Sequence, residues 1–420
     1  MSTSLVTKTV RSKNRYKTGR FLWQFALYLS PVLLLMLIFP FVTERISSIS
    51  VGGVNLTQIV LAASITVPWM SQCVCLPIYK AMEDLLGEKE LNSCMKRFCE
   101  YWLATCVAMV PVLLVFGLPL FFALNWTWTA LLAYLILGFL NMAFGQLLVI
   151  ANIPTNRTYW AAAWVAYSMA LLFFPTVWFL PPVAGIIVQL IVMRKYLRYL
   201  TTFRRLPALT LTREAVRGFL MGAVLWADKY FLFAAQGGTM DVIAVYMGLI
   251  PAVIAYNYFF AAEAMGLDRS IAKLRGLIEY TSYPLVDRFA TRVSKRVHAA
   301  THRTLILSLA TSVMTAVIMY FATPQSFALA LVVILTSFFF LTAAIFSYQV
   351  DYMGNHVAPQ IIGGAHLLLC IMAFSIMPNI GGYYIILGGE ILIAIASYLV
   401  FRKTWSAPAY DLFWKHAMSW

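Results

Sequence analysis

Charge is scarce in this chain: only 11% of its 420 residues are Asp, Glu, Lys or Arg, and the acids number 16. A soluble globular protein is about a quarter charged and about half apolar. With 62% apolar residues and a mean hydropathy of +0.80, there is too much apolar surface for a water-soluble core to absorb. Five histidines form no zinc-type cluster, and there is neither a phosphate-binding glycine loop nor a Gly-x-Ser-x-Gly elbow. No catalytic residue, metal or cofactor is therefore expected, and the chain does not read as an enzyme. Without a nucleotide site, any transport would run on an ion gradient, on membrane potential or on force from a partner. The six cysteines (Cys73, Cys75, Cys94, Cys99, Cys106 and Cys370) lack metal-site spacing and lie in spans or on the side read as cytosolic. They read as apolar fillers and not as a disulfide framework.

What the sequence does have is long apolar runs. A membrane-crossing helix needs about 20 mostly apolar residues. Twelve such spans are read: 21–42, 55–79, 101–123, 128–152, 159–179, 182–199, 216–236, 242–262, 304–322, 326–347, 359–377 and 382–401. The first is too long for a signal-peptide core and no small-residue cleavage site follows it, so it reads as retained. The fifth and sixth spans divide only at Leu180, Pro181 and Pro182, where two prolines predict a tight outer turn.

The basic residues orient the spans. Threaded with both termini inside, the chain keeps 29 of its 31 Lys and Arg on the cytosolic side. Arg45 alone falls outside, and Lys229 alone lies deep within a span, since Arg194, Lys195, Arg198 and Arg217 stand at the cytosolic ends of theirs. Retention of cationic loops on the cytosolic face explains the net charge of +15 without nucleic acid as a partner. The expected location is the cytoplasmic (inner) membrane.

The long cytosolic loops recur. They lie between the second and third spans of each six-span half, at 80–100 and 263–303. Both halves enter the membrane in the same direction, the parallel-repeat plan of many transporters. The expected domains are a basic tail 1–20, a six-helix lobe 21–199, a linker 200–215, a second six-helix lobe 216–401 and a tail 402–420. No outer loop exceeds about a dozen residues. That argues against a membrane glycosyltransferase or polymer ligase.

Ionisable groups deep in a bilayer cost about 2.5–3.5 kcal/mol each on insertion scales and mark a pathway or a pair. Asp228 and Lys229 lie near mid-bilayer in the seventh span, and Glu390 is the other deep carboxylate. Neighbours in a helix point about 100° apart, so Asp228 and Lys229 are expected to find separate partners on other helices or in water. Either an interhelical salt bridge or a substrate- or ion-contacting pair on a cavity wall fits them. Spans seven and eight are rich in aromatics, with Tyr230 and Tyr256 offering polar handles. Prolines at 31, 68, 77, 111, 175 and 251 are read inside spans, where they kink helices. His366, inside a span, is left without a role.

In 268–303, Ile271, Leu274, Leu277 and Ile278 share one helical face. Leu285, Phe289, Val293 and Val297 recur opposite Arg288, Arg292 and Arg296. Such amphipathic helices lie among inner-leaflet headgroups or dock a cytosolic partner.

Span seven reads LWADKYFLF from Leu225 to Phe233, and span eight reads VYMGLIPAVIAYNYFFAAE from Val245 to Glu263. This order resembles the Pel-type exopolysaccharide exporters, a branch of the multidrug/oligosaccharidyl-lipid/polysaccharide flippase superfamily. In that pattern a W-A/I-D-K-aromatic run precedes a helix with a central Ile-Pro that ends in a carboxylate. Asp228, Lys229, Pro251 and Glu263 are the matching positions. The resemblance implies an all-α membrane protein of two six-helix lobes and alternating access. It also implies a polysaccharide or lipid-linked sugar as cargo, with glycosyltransferase or synthase subunits as possible partners beside membrane lipid. The competing expectations are an ion-coupled drug exporter of the same fold and a non-transporting scaffold of a synthase complex.

Overall fold

A bilayer interior offers no partner for backbone N–H and C=O groups, so segments that cross it close their own hydrogen bonds as helices. The computed structural model describes residues 25–417 apart from 28, 32–33, 36–37, 39–40, 84, 86–90 and 153–157. The basic tail 1–20, Lys89, Arg157 and parts of the first span therefore lie outside the described residues.

The first helix, α1, has its described helical residues at 25–27, 29–31, 34–35, 38 and 41–47. There follow α2 (Leu56–Ala81), α3 (Leu91–Ala123), α4 (Trp128–Asn152), α5 (Thr158–Phe173) and α6 (Leu180–Met193). The second half comprises α7 (Ala208–Ala235), α8 (Val242–Tyr258), α9 (Met265–Tyr280), α10 (Tyr283–Ala322), α11 (Phe327–Tyr352), α12 (Val357–Ile376), α13 (Ile380–Ser406) and α14 (Pro408–Ala417). Among the described residues nine helices are long and apolar enough to cross a membrane, and α5 and α6 are shorter apolar helices. With α1 they make an all-α membrane protein of twelve spanning helices in two lobes, α1–α6 and α7–α13, with α9 amphipathic. Mid-helix leucines such as Leu368 and Leu392, 61% and 68% exposed, face where lipid tails would lie.

Polar side chains mark the helix starts. Asn55, Asp241 and Asn379 cap α2, α8 and α13 by accepting the backbone N–H of Thr57, Ala244 and Gly381 at 2.8–2.9 Å. After α7 the chain reverses through Gly237 and Gly238, whose φ values of +66° and +83° suit glycine. The one strand pair among the described residues, Ser50–Val51 with Val54–Asn55, is a short antiparallel hairpin before α2.

Three expectations need correction. The turn between spans five and six falls at residues 174–179 and includes Pro175, whereas Pro181 and Pro182 open α6. Proline has no N–H to lose in a first turn, so the pair starts a helix instead of breaking one. Segment 283–303 is not a separate surface helix but the lower half of the 40-residue α10. Most of its apolar stripe is also not free for lipid: Ile271, Leu274, Val293 and Val297, with Leu267 and Val286, are buried in one cluster with Trp405 and Leu412, whereas Leu285 stays exposed.

Candidate functional site

Two places in the fold are candidates for function: the seam between lobes and a polar cluster within the second lobe. The seam is built mainly by α2 and α7, which pack along most of their length. Gly218 and Gly222 stand one turn apart on α7, the small-xxx-small spacing that lets membrane helices approach closely. A methyl group on Gly218 would lie 2.3 Å from the Gln72 carbonyl oxygen, and one on Gly222 would lie 2.7 Å from the Trp69 indole. Trp69 fills that gap, donates its indole N–H to the Phe219 carbonyl at 2.7 Å, and packs with Phe116, Phe219 and Tyr230 at centroid distances of 4.8–6.0 Å.

Few polar latches cross the seam. Tyr230 donates to the Phe116 carbonyl at 3.0 Å, the Gln58 amide donates to the Gly237 carbonyl at 3.1 Å, and the Ser64 and Tyr246 hydroxyls meet at 2.8 Å. At the Lys/Arg-rich end the seam opens into a cleft of about 260 Å³ lined by Lys80, Glu83, Arg213, Glu214, Arg217 and His356. Arg217 bonds Asp351 at 2.6 Å and Glu214 at 3.5 Å, tying α7 to the end of α11.

The second place is the interior of the α7, α11, α12 and α13 packing. Asp228 and Lys229, 0% and 1% exposed, do pair with each other at 2.9 Å. The lysine stem is long enough to fold back across the angle that separates neighbours on a helix. Its ammonium also donates to the Leu225 carbonyl at 3.2 Å and sits 4.6 Å from the centre of the Phe340 ring. Tyr383 on α13 donates to Asp228 at 3.2 Å. Glu390 accepts from or donates to His366 at 2.6 Å, both fully buried, and Cys370 stands 3.4 Å from the other imidazole nitrogen.

The remaining expected residues lie apart from this cluster. Tyr256 meets the Tyr348 hydroxyl at 2.9 Å beside a water-sized hollow of about 20 Å³. Glu263 sits in a π-helical turn, Phe259–Ala264, where Arg303 grips its carboxylate at 2.9 Å to both oxygens and Tyr258 donates at 3.2 Å. Arg288 and Arg292 are exposed on α10, whereas Arg296 reaches Ser270 on α9 at 3.2 Å. Asp228 and Lys229 line neither of the two cavities above, and the structure brings together Asp228, Lys229 and Glu390 as fully buried side chains.

Sequence reasoning missed Trp69, Phe116, Phe219, Phe340 and Tyr383, and gave His366 no role. Gly218-x-x-x-Gly222 was a readable signal for the seam. His366 and Glu390 are 24 residues apart, on two helices, and no local pattern links them.

No protein-family model matches the sequence, and no curated protein matches it at sequence level. Solved structures do match its fold. The chain is similar to the eukaryotic MATE transporter AtDTX14, with a TM-score of 0.57 at 13% identity, covering 95% of this chain and 99% of that one. It is similar to the Vibrio cholerae MATE transporter VcmN in its bent form, with a TM-score of 0.53 at 13% identity, covering 94% and 98%. A MOP superfamily transporter from Pyrococcus furiosus aligns over 93% and 96% with a TM-score of 0.52, also at 13% identity. The fold is thus the one seen in these MATE and MOP superfamily transporter structures.

Proposed function

We propose that this chain exports a polysaccharide or lipid-linked oligosaccharide across the cytoplasmic membrane, by alternating access between its two lobes, with both termini in the cytosol. The observation that carries the reading is the seam. Two lobes meet there through glycines and aromatic faces with few hydrogen bonds, so they can separate as rigid bodies at small polar cost. The aromatic wall of Trp69, Phe116, Phe219 and Tyr230 suits the apolar faces of sugar rings. The Pel-type pattern at Asp228, Lys229, Pro251 and Glu263 supports the cargo class, although the geometry gives those positions supporting tasks inside the second lobe. Exposed Arg288 and Arg292 offer a face to anionic lipid or a synthase subunit.

A polymer-secreting host deprived of the chain is expected to stop secreting and to recover when it is restored. Unchanged secretion overturns the cargo. The likeness to MATE transporter structures favours a second reading, an ion-coupled exporter of small molecules. It requires solute tolerance in a pump-deficient host with no change in surface polymer.

A further inference from the structure

The cluster inside the second lobe has an odd charge count. Lys229 cancels Asp228, with which it is paired at 2.9 Å. That leaves Glu390, fully buried, with His366 as its hydrogen-bond partner and its second oxygen without a hydrogen bond among the described residues. With imidazole neutral and carboxylate ionised, the interior would hold one net negative charge. An uncompensated charge in a dry protein interior costs several kcal/mol. An added proton removes it, whether it rests on the imidazole or on the carboxyl. The 2.6 Å separation is that of a strong, charge-assisted hydrogen bond.

The groups facing this pair are few and named. From α7 come Asp228 and Lys229, from α12 Cys370, and from α13 Tyr383, whose hydroxyl is committed to Asp228. From α11 comes Phe340, whose ring lies 4.6 Å from the Lys229 ammonium and 6.4 Å from the His366 ring. The pair also adjoins the seam. Gly363, one turn before His366, packs so tightly on α7 that a methyl group there would lie 2.1 Å from the Leu220 carbonyl oxygen. Leu220 lies between Gly218 and Gly222, which face α2.

We propose that His366 and Glu390 form a binding site for one exchangeable proton, and that its occupancy sets how α12 seats on α7 and hence how the seam packs. Loading forms one N–H or O–H bond with a proton drawn from water, and unloading returns it to water; no electrons move. Binding is a property of the site alone. Its use as the coupling ion rests on the export reading above.

The test uses the purified full chain in lipid nanodiscs without cargo. Infrared difference spectra across a pH step, with isotope-labelled histidine, report carboxyl and imidazole protonation, and a pH dye in weak buffer counts the protons exchanged. The wild type is expected to exchange about one more proton than Glu390→Gln over the same step, with the carboxyl or imidazole bands lost in that variant. His366→Gln serves if Glu390→Gln does not fold, and the labelled wild type reads the site without any variant. Equal exchange in wild type and folded variant, or a wild-type spectrum without either band change, overturns the site. Proton exchange present while secretion is unaffected by the chain sinks the export reading instead and leaves the site standing. Secretion that depends on the chain, with no proton exchange at this pair, does the reverse.

Discussion

The two lobes bury their polar groups in opposite ways. In the first, the groups buried deep in the described spans are neutral: Thr66 with Tyr134 at 2.8 Å, Gln146 with the Val74 carbonyl at 3.1 Å, and Gln189 with the Tyr159 carbonyl at 3.0 Å, while its buried carboxylate Glu100 stands in the first third of α3 with Arg204 at 3.4 Å. In the second, the interior holds Asp228, Lys229, His366 and Glu390. Neutral hydrogen bonds hold register whatever the pH or the membrane potential, whereas charged groups respond to both. On the proton-site proposal, the first lobe is the frame and the second the part that responds to ions.

The largest effect should come from breaking the charged side. Lys229→Met leaves Asp228 buried without its counter-charge, at a cost of about 3–5 kcal/mol. Loss of monodisperse protein on size exclusion is expected, with recovery in the Asp228→Asn, Lys229→Met double variant; a singly substituted protein as heat-stable as wild type would refute the dependence. Next comes the seam. Gly218→Val has no room beside the Gln72 carbonyl, so spin labels on α2 and α7 should report longer distances while each lobe stays folded. Unchanged distances would show that the lobes do not meet there.

Smaller again is the peripheral pair. Arg303 is half exposed, and Arg303→Ala should cost about 1 kcal/mol in thermal stability because water screens and partly replaces it. The smallest effect belongs to the frame. Tyr134→Phe removes one neutral bond and leaves Thr66 bonded to the Ala62 carbonyl at 2.8 Å, a loss of about 1 kcal/mol, with no change in proton exchange. A pH-dependent effect of Tyr134→Phe would erase the contrast between lobes.

Legibility differed by the kind of signal. Hydropathy runs set the spans, because lipid demands about 20 apolar residues wherever a helix crosses. That Asp228, Lys229 and Glu390 lie inside those runs was equally readable, and the structure buries all three. Register between helices was not. The lysine folded back on its neighbour, with Phe340 beside its ammonium and Tyr383 reaching Asp228 from α13. The amphipathic stripe of 268–303 was read correctly as a pattern, but its occupant was the protein itself, through Trp405 and Leu412 from more than a hundred residues away.

What the sequence determined alone was an all-helical membrane chain, since solvent and lipid act on each segment separately. Tertiary structure decided which groups meet: Gly218 with Gln72, Tyr383 with Asp228, His366 with Glu390. Such meetings depend on how helices cross, and the crossing is set by volumes summed over many side chains from distant parts of the chain.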